Sequence, residues 1–102
     1  MRVEVIGRPP LQVTDAIREH AAAKAAKLHK HYDGIQLVTI RASQDDHKHS
    51  PTFGVEIVVD VEKHPDFVSH ASDKDLYAAI DLAIHKSERQ LTDFKERLKQ
   101  GR

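Results

Sequence analysis

Hydrophobic and polar side chains alternate most clearly between Phe53 and Glu62. The hydrophobic positions of this segment are Phe53, Val55, Ile57, Val59 and Val61. Because successive side chains of a strand point to opposite faces of a sheet, the alternation predicts a strand with one buried face. Shorter apolar segments at 2–6, 35–42 and 67–71 predict three more strands, and the polar segment 43–51 predicts a hairpin loop.

Two other segments have apolar residues at the spacing of an α-helix. The first follows a possible cap at Thr14 or Asp15 and stops at 33–34, and the second follows one at Ser72, Asp73 or Asp75. The apolar stripe of the first helix consists of Ile17, Ala21, Ala25, Leu28 and Tyr32. That of the second consists of Leu76, Ile80, Ala83, Ile84, Ser87, Leu91, Phe94 and Leu98.

The predicted order of elements is β-α-β-β-β-α. A helix between the first two strands makes them parallel with a right-handed crossover, whereas the later strands are joined as hairpins and are antiparallel. Two helices with one apolar face each need a sheet to cover. We therefore predict an α+β fold, a four-stranded sheet with both helices on one face, in a single domain that spans residues 1–102.

Composition excludes several classes of protein. The chain of 102 residues has no cysteine, which excludes disulfides and thiolate chemistry, and no apolar run approaches the roughly 20 residues of a membrane span. We expect a cytoplasmic protein with no membrane partner. The 16 basic and 16 acidic residues give a formal net charge of zero, which counts against a strong nonspecific nucleic-acid binder unless one face concentrates the cations.

The first predicted helix carries a stripe of cations beside its apolar stripe. Its members are His20, Lys24, Lys27 and His31, at spacings of four, three and four residues. Cations on a rigid surface next to the core suit the binding of phosphate groups. The spacing alone is equally compatible with an ordinary solvated helix face.

The last predicted helix has exposed cations as well, at His85, Lys86 and Arg89 and further along at Lys95. Four acidic residues are interleaved with them, namely Asp81, Glu88, Asp93 and Glu96. We expect some of these to form ion pairs with cations one turn away on the same helix. Taken alone, this pattern favours a charged surface over a binding face.

The sequence gives little indication of metal binding or catalysis. His29 and His31 point in different directions on a helix, and His47 and His49 lie in a predicted loop that could hold a metal only weakly. No serine lies in a nucleophile elbow, and the four glycines form no phosphate-binding loop. We therefore expect no enzymatic activity, no metal or other cofactor and no small-molecule substrate.

Two helical segments resemble those of the ribosome hibernation promoting factor family, also called the ribosome-associated inhibitor or sigma-54 modulation family. The most specific is Asp75-Leu76-Tyr77-Ala78-Ala79-Ile80-Asp81, followed by Lys86-Ser87-Glu88-Arg89-Gln90-Leu91. The segment Ala23-Lys24-Ala25-Ala26-Lys27-Leu28 is similar to the first helix of that family. The likeness covers nearly the whole chain and implies the short form of the family, without the further domain that pairs ribosomes.

The resemblance implies a fold similar to double-stranded-RNA-binding domains and a partner, the small ribosomal subunit. Binding in the channel of messenger and transfer RNA would block translation and preserve idle ribosomes. Lys24, Lys27, Lys86 and Arg89 match positions that meet ribosomal RNA, and Lys95 is what remains here of a lysine cluster that family members commonly carry. The alternative is a protein-interaction domain of the same fold that has lost RNA binding.

Three histidines extend the predicted RNA-binding face. His20 and His31 share the stripe of Lys24 and Lys27, and His85 is next to Lys86. Nearby phosphates would favour the charged imidazolium, so that these histidines take up protons on binding. We therefore expect the affinity for RNA to rise as the pH falls.

Overall fold

A computed structural model describes residues 1–46 and 50–100 of the chain. Its elements are β1 (Arg2–Gly7), α1 (Asp15–Ala26), β2 (Ile35–Asp46), β3 (Pro51–Val61), β4 (Phe67–Asp73) and α2 (Leu76–Gln100). A single 3-10 turn, Lys27–Lys30, follows α1. The predicted α+β fold and its order of elements are therefore confirmed.

The strands form one mixed sheet in the order β1-β2-β3-β4. β1 runs parallel to β2, with Val5 opposite Ile40, and the other neighbours are antiparallel. One row across the sheet therefore contains Val5, Ile40, Ile57 and Ser69. These side chains are buried because both helices cover this face.

Each helix buries one face of its side chains. α1 buries Ala21 and Ala25, and α2 buries the stripe from Leu76 to Phe94. A buried polar pair also joins α2 to β4, where the hydroxyls of Ser87 and Ser69 are 2.9 Å apart. Each hydroxyl thus has a partner, which offsets the cost of burying it.

The structure differs from the predicted boundaries at three places. Thr14 caps α1 as predicted, with its hydroxyl accepting a hydrogen bond from the Ile17 N–H at 3.2 Å, but the α-helix ends at Ala26 rather than near Tyr32. β2 and β3 extend through much of the predicted hairpin loop, because backbone pairing does not require apolar side chains. Leu98 is 49% exposed, and the other residues of α2 after Phe94 are exposed as well.

Within the described residues, no helix is both long enough and apolar enough to cross a membrane.

Candidate nucleic-acid interface

Three of the four residues in the predicted cation stripe face α2 rather than open solvent, and Lys27 is the exception. His20 Nε2 lies 2.8 Å from Asp81 Oδ1, and Lys24 Nζ lies 4.0 Å from the same oxygen. The ring of His20 also meets the ring of Tyr77 edge-on, with centroids 4.9 Å apart. One carboxylate of α2 therefore contacts two basic side chains of α1 between the helices.

A second contact of this kind lies at the other end of the helix pair. His31 Nε2 is 3.0 Å from Glu88 Oε2, and its Nδ1 is 3.3 Å from the hydroxyl of Thr92. His31 follows the 3-10 turn, which moves it off the straight stripe that a continuous α-helix would give. We call the contacts of His20, Lys24 and His31 with Asp81 and Glu88 the interhelical seam.

Four of the predicted RNA-binding side chains are exposed and have no hydrogen bond or ion pair within the part of the chain that the structure describes. They are Lys27 in the 3-10 turn and His85, Arg89 and Lys95 on α2. A cation without an internal partner keeps its full charge available to a ligand. These four side chains, with the seam between them, form the candidate interface.

Lys86, in contrast to these four residues, contacts the sheet. Its ammonium group donates a hydrogen bond to the carbonyl oxygen of His70 at 2.7 Å, and the amide of Gln90 donates to the carbonyl of Val68 at 2.9 Å. Both carbonyls belong to β4, an edge strand whose outward backbone groups could otherwise pair with another chain. Lys86 therefore protects this edge, and it is only partly available to RNA.

The sequence did not indicate the partners of the seam. We expected some of the acidic residues of α2 to pair with cations of the same helix, but Asp81 pairs with α1 and Glu88 pairs with His31, which follows the 3-10 turn. Asp81 and Glu88 are seven positions apart, which is about two helical turns, so they share a face of α2. This spacing was the available signal. Nothing in the spacing shows which other element that face meets.

The chemistry of the interface is electrostatic. It offers ammonium, guanidinium and imidazole groups on two rigid helices, which suits the binding of a polyanion. In residues 1–46 and 50–100, no group of three or more histidine, aspartate and glutamate side chains is placed to hold a metal ion. His29 lies 4.0 Å from Asp33, and the predicted weak ligands His47 and His49 lie outside the described residues.

Comparison with known proteins agrees with the fold. Residues 3–99 match the model of the family described as sigma 54 modulation protein / S30EA ribosomal protein. The ribosome hibernation promoting factor of Escherichia coli K12 is 35% identical over 102 residues, covering 98% of this chain and 99% of that protein. The factor of the same name from Azotobacter vinelandii is 34% identical over 97 residues, covering 95% of this chain and 85% of that protein.

A solved structure has the same architecture. The N-terminal domain of Protein Y from Thermus thermophilus superimposes with a TM-score of 0.80 at 34% sequence identity. The match covers 92% of this chain and 99% of that domain. The helix pair that carries the candidate interface therefore lies within a shared fold.

Proposed function

The chain belongs to the sigma 54 modulation protein / S30EA ribosomal protein family, and from this premise we propose that it binds the small ribosomal subunit and inhibits translation. A ribosome-associated, non-enzymatic role follows from the family. The proposal adds a location in the channel of messenger and transfer RNA, direct contact with ribosomal RNA, and hibernation of idle ribosomes as the outcome. A cytoplasmic location is part of the same proposal.

The observation that carries the proposal is the set of unpartnered cations on the helix pair. Lys27, His85, Arg89 and Lys95 are exposed and uncommitted within the described residues, although the chain as a whole has no net charge. Phosphate contacts of this kind supply affinity and orientation but little sequence information. A protein that uses them needs a partner of defined shape, and a folded ribosomal RNA provides one.

A second candidate function is a protein-interaction domain of the same fold that has lost RNA binding. The seam favours it, because the carboxylates of Asp81 and Glu88 lie among the cations and reduce the positive potential of this face. Carboxylates near an RNA backbone oppose binding by repulsion. The two candidate functions therefore predict different responses to salt.

We expect binding to the small subunit to weaken steeply as salt rises. Four phosphate contacts would give a slope of log affinity against log salt of about −3 to −4, because each contact releases bound counterions. The measurement is titration of labelled protein with purified small subunits over a range of salt concentrations. Lys27→Gln/Arg89→Gln should lower the slope by about 2. Binding that is independent of salt, or absent at low salt, would support the second candidate.

The pH dependence of binding should come mainly from His85. His20 and His31 already have carboxylate partners in the free protein, whereas His85 has none within the described residues. A phosphate near His85 favours its charged form, so affinity should rise between about pH 8 and about pH 6. The test compares wild type with His85→Gln at fixed ionic strength. An equal pH dependence in both proteins would show that His85 is far from any phosphate.

A further inference from the structure

A hollow of about 530 Å³ lies between the segment that follows α1 and the last turns of α2. Its apolar part is formed by Tyr32 and Leu98. Leu98 follows Phe94 by four residues on the core stripe, yet it is 49% exposed. The apolar stripe of α2 therefore extends beyond the core and forms one wall of the hollow.

The ring of Tyr32 is held in place from two sides. Phe94 meets it edge-on, with centroids 5.3 Å apart. Gly34 lies so close that an added β-carbon would be 2.5 Å from Tyr32 Cε2. The hydroxyl of Tyr32 has no hydrogen-bond partner in the described ranges 1–46 and 50–100. The hollow thus presents a fixed aromatic ring and a free polar group at one point.

Three lysines line the same hollow. They are Lys30 from the 3-10 turn and Lys95 and Lys99, which are one helical turn apart on α2. None of the three forms an ion pair with another residue that the structure describes. Two carboxylates, Asp33 and Glu62, also line the hollow. Three lysines and two carboxylates therefore surround the apolar surface of Tyr32 and Leu98.

We propose that this hollow binds one unpaired nucleotide of RNA. The base lies against Tyr32 and Leu98, and the flanking phosphates lie against the three lysines. A base that is stacked and paired in a duplex cannot enter such a hollow, whereas single-stranded bases stack on aromatic side chains in many RNA-binding proteins. The inference rests on the proposed function and deepens it, because it names a single-stranded segment as part of the RNA target.

The two carboxylates favour a nucleotide over an acidic peptide. Aspartate and glutamate accept hydrogen bonds from the amino groups of bases, as they do from the N4 amino group of cytosine. The acidic side chains of a peptide offer them only repulsion, whereas a nucleotide offers an amino group together with its phosphates. A short cytidine oligomer is therefore the appropriate probe, and a glutamate-rich peptide is the competing one.

The first test locates the probe on the protein by NMR. A cytidine oligomer should shift the ring signals of Tyr32 and the methyl signals of Leu98, whereas a blunt RNA duplex with the same number of nucleotides should leave them unchanged. Leu98→Gln should weaken oligomer binding by about fivefold, the lower end of what one stacked base contributes. The matched control is Leu82→Gln, since Leu82 is 47% exposed on the same helix but outside the hollow, and it should bind as wild type does.

The second test counts phosphates. Lys95→Gln/Lys99→Gln should reduce the salt slope of oligomer binding by about 1.4, at about 0.7 for each contact with a single strand. Arg8→Gln/Lys74→Gln removes the same charge away from the hollow and should leave the slope unchanged. Shifts at Tyr32 and Leu98 that the glutamate-rich peptide produces and the oligomer does not would overturn the proposal.

The outcomes separate this inference from the proposed function. If small subunits bind the protein but Leu98→Gln and Leu82→Gln bind the oligomer equally well, the nucleotide site is wrong and the proposed function stands. If the oligomer binds in the hollow but purified small subunits do not bind the protein, the proposed function fails and the site stands.

Discussion

Replacing Lys24 and Lys27 by glutamate is expected to lower the affinity for the small ribosomal subunit by about a hundredfold or more. Loss of the phosphate contact of Lys27 removes about 0.9 from the salt slope, which at about 0.1 M salt corresponds to roughly tenfold in affinity. The introduced carboxylates add repulsion, and the one at position 24 lies next to Asp81. The fold should survive, since neither lysine side chain is part of the core.

Sedimentation with purified small subunits and a cell-free translation assay measure this effect. The matched control is Lys63→Glu/Lys74→Glu, which makes the same change in net charge in the connections before and after β4. Thermal melts of both variants establish that the domain is folded. If the Lys24/Lys27 variant still inhibits translation as well as the control does, the helix pair is not the face that meets the ribosome.

The fold was predictable because its signals are local and repetitive. The alternation from Phe53 to Val61 appears in β3 as a strand whose odd-numbered positions, from Val55 onward, are buried. The apolar stripe of α2 was predicted correctly as far as Phe94. One helix joins the first two strands, so their crossover is right-handed. Because both helices also cover the same face of the sheet, few other topologies are possible.

The boundaries that were mispredicted depend on tertiary contacts. Tyr32 fits the helical spacing of α1, but its ring packs against Phe94 and Gly34, and the chain reaches that position through a 3-10 turn. Leu98 fits the spacing of α2, but periodicity along a helix does not show where the sheet beneath it ends. The residue pattern within one element gives no information about the packing of Tyr32 or the exposure of Leu98, because both depend on other elements.

The candidate site was only partly predictable for the same reason. Helical spacing placed His20, Lys24 and His31 on one side of α1, and the structure agrees that they share a neighbour. That this neighbour is acidic depends on how α1 and α2 pack, which composition and spacing do not specify. Lys86 illustrates the limit, since a lysine one turn before Gln90 becomes a partner of the β4 edge only in the folded protein.

Neutralising the seam should strengthen RNA binding. In Asp81→Asn/Glu88→Gln, each amide oxygen can still accept a hydrogen bond from its histidine, so the packing of the helices is retained while two negative charges disappear. Lys24 is then free to interact with phosphates, and two sources of repulsion are gone. A unit charge about 4 Å from a phosphate is worth about 1 kcal/mol in water, so the pair should raise the affinity by about tenfold or more.

The measurement is affinity for purified small subunits at several salt concentrations, with a steeper slope expected in the variant because more cations reach phosphates. Glu4→Gln/Asp60→Asn is the matched control, since it makes the same change in net charge on the sheet face opposite the helices. Equal gains in both variants would mean that net charge alone is responsible. A loss of affinity in the seam variant would mean that Asp81 and Glu88 hold the cations of α1 in the position that the ribosome requires.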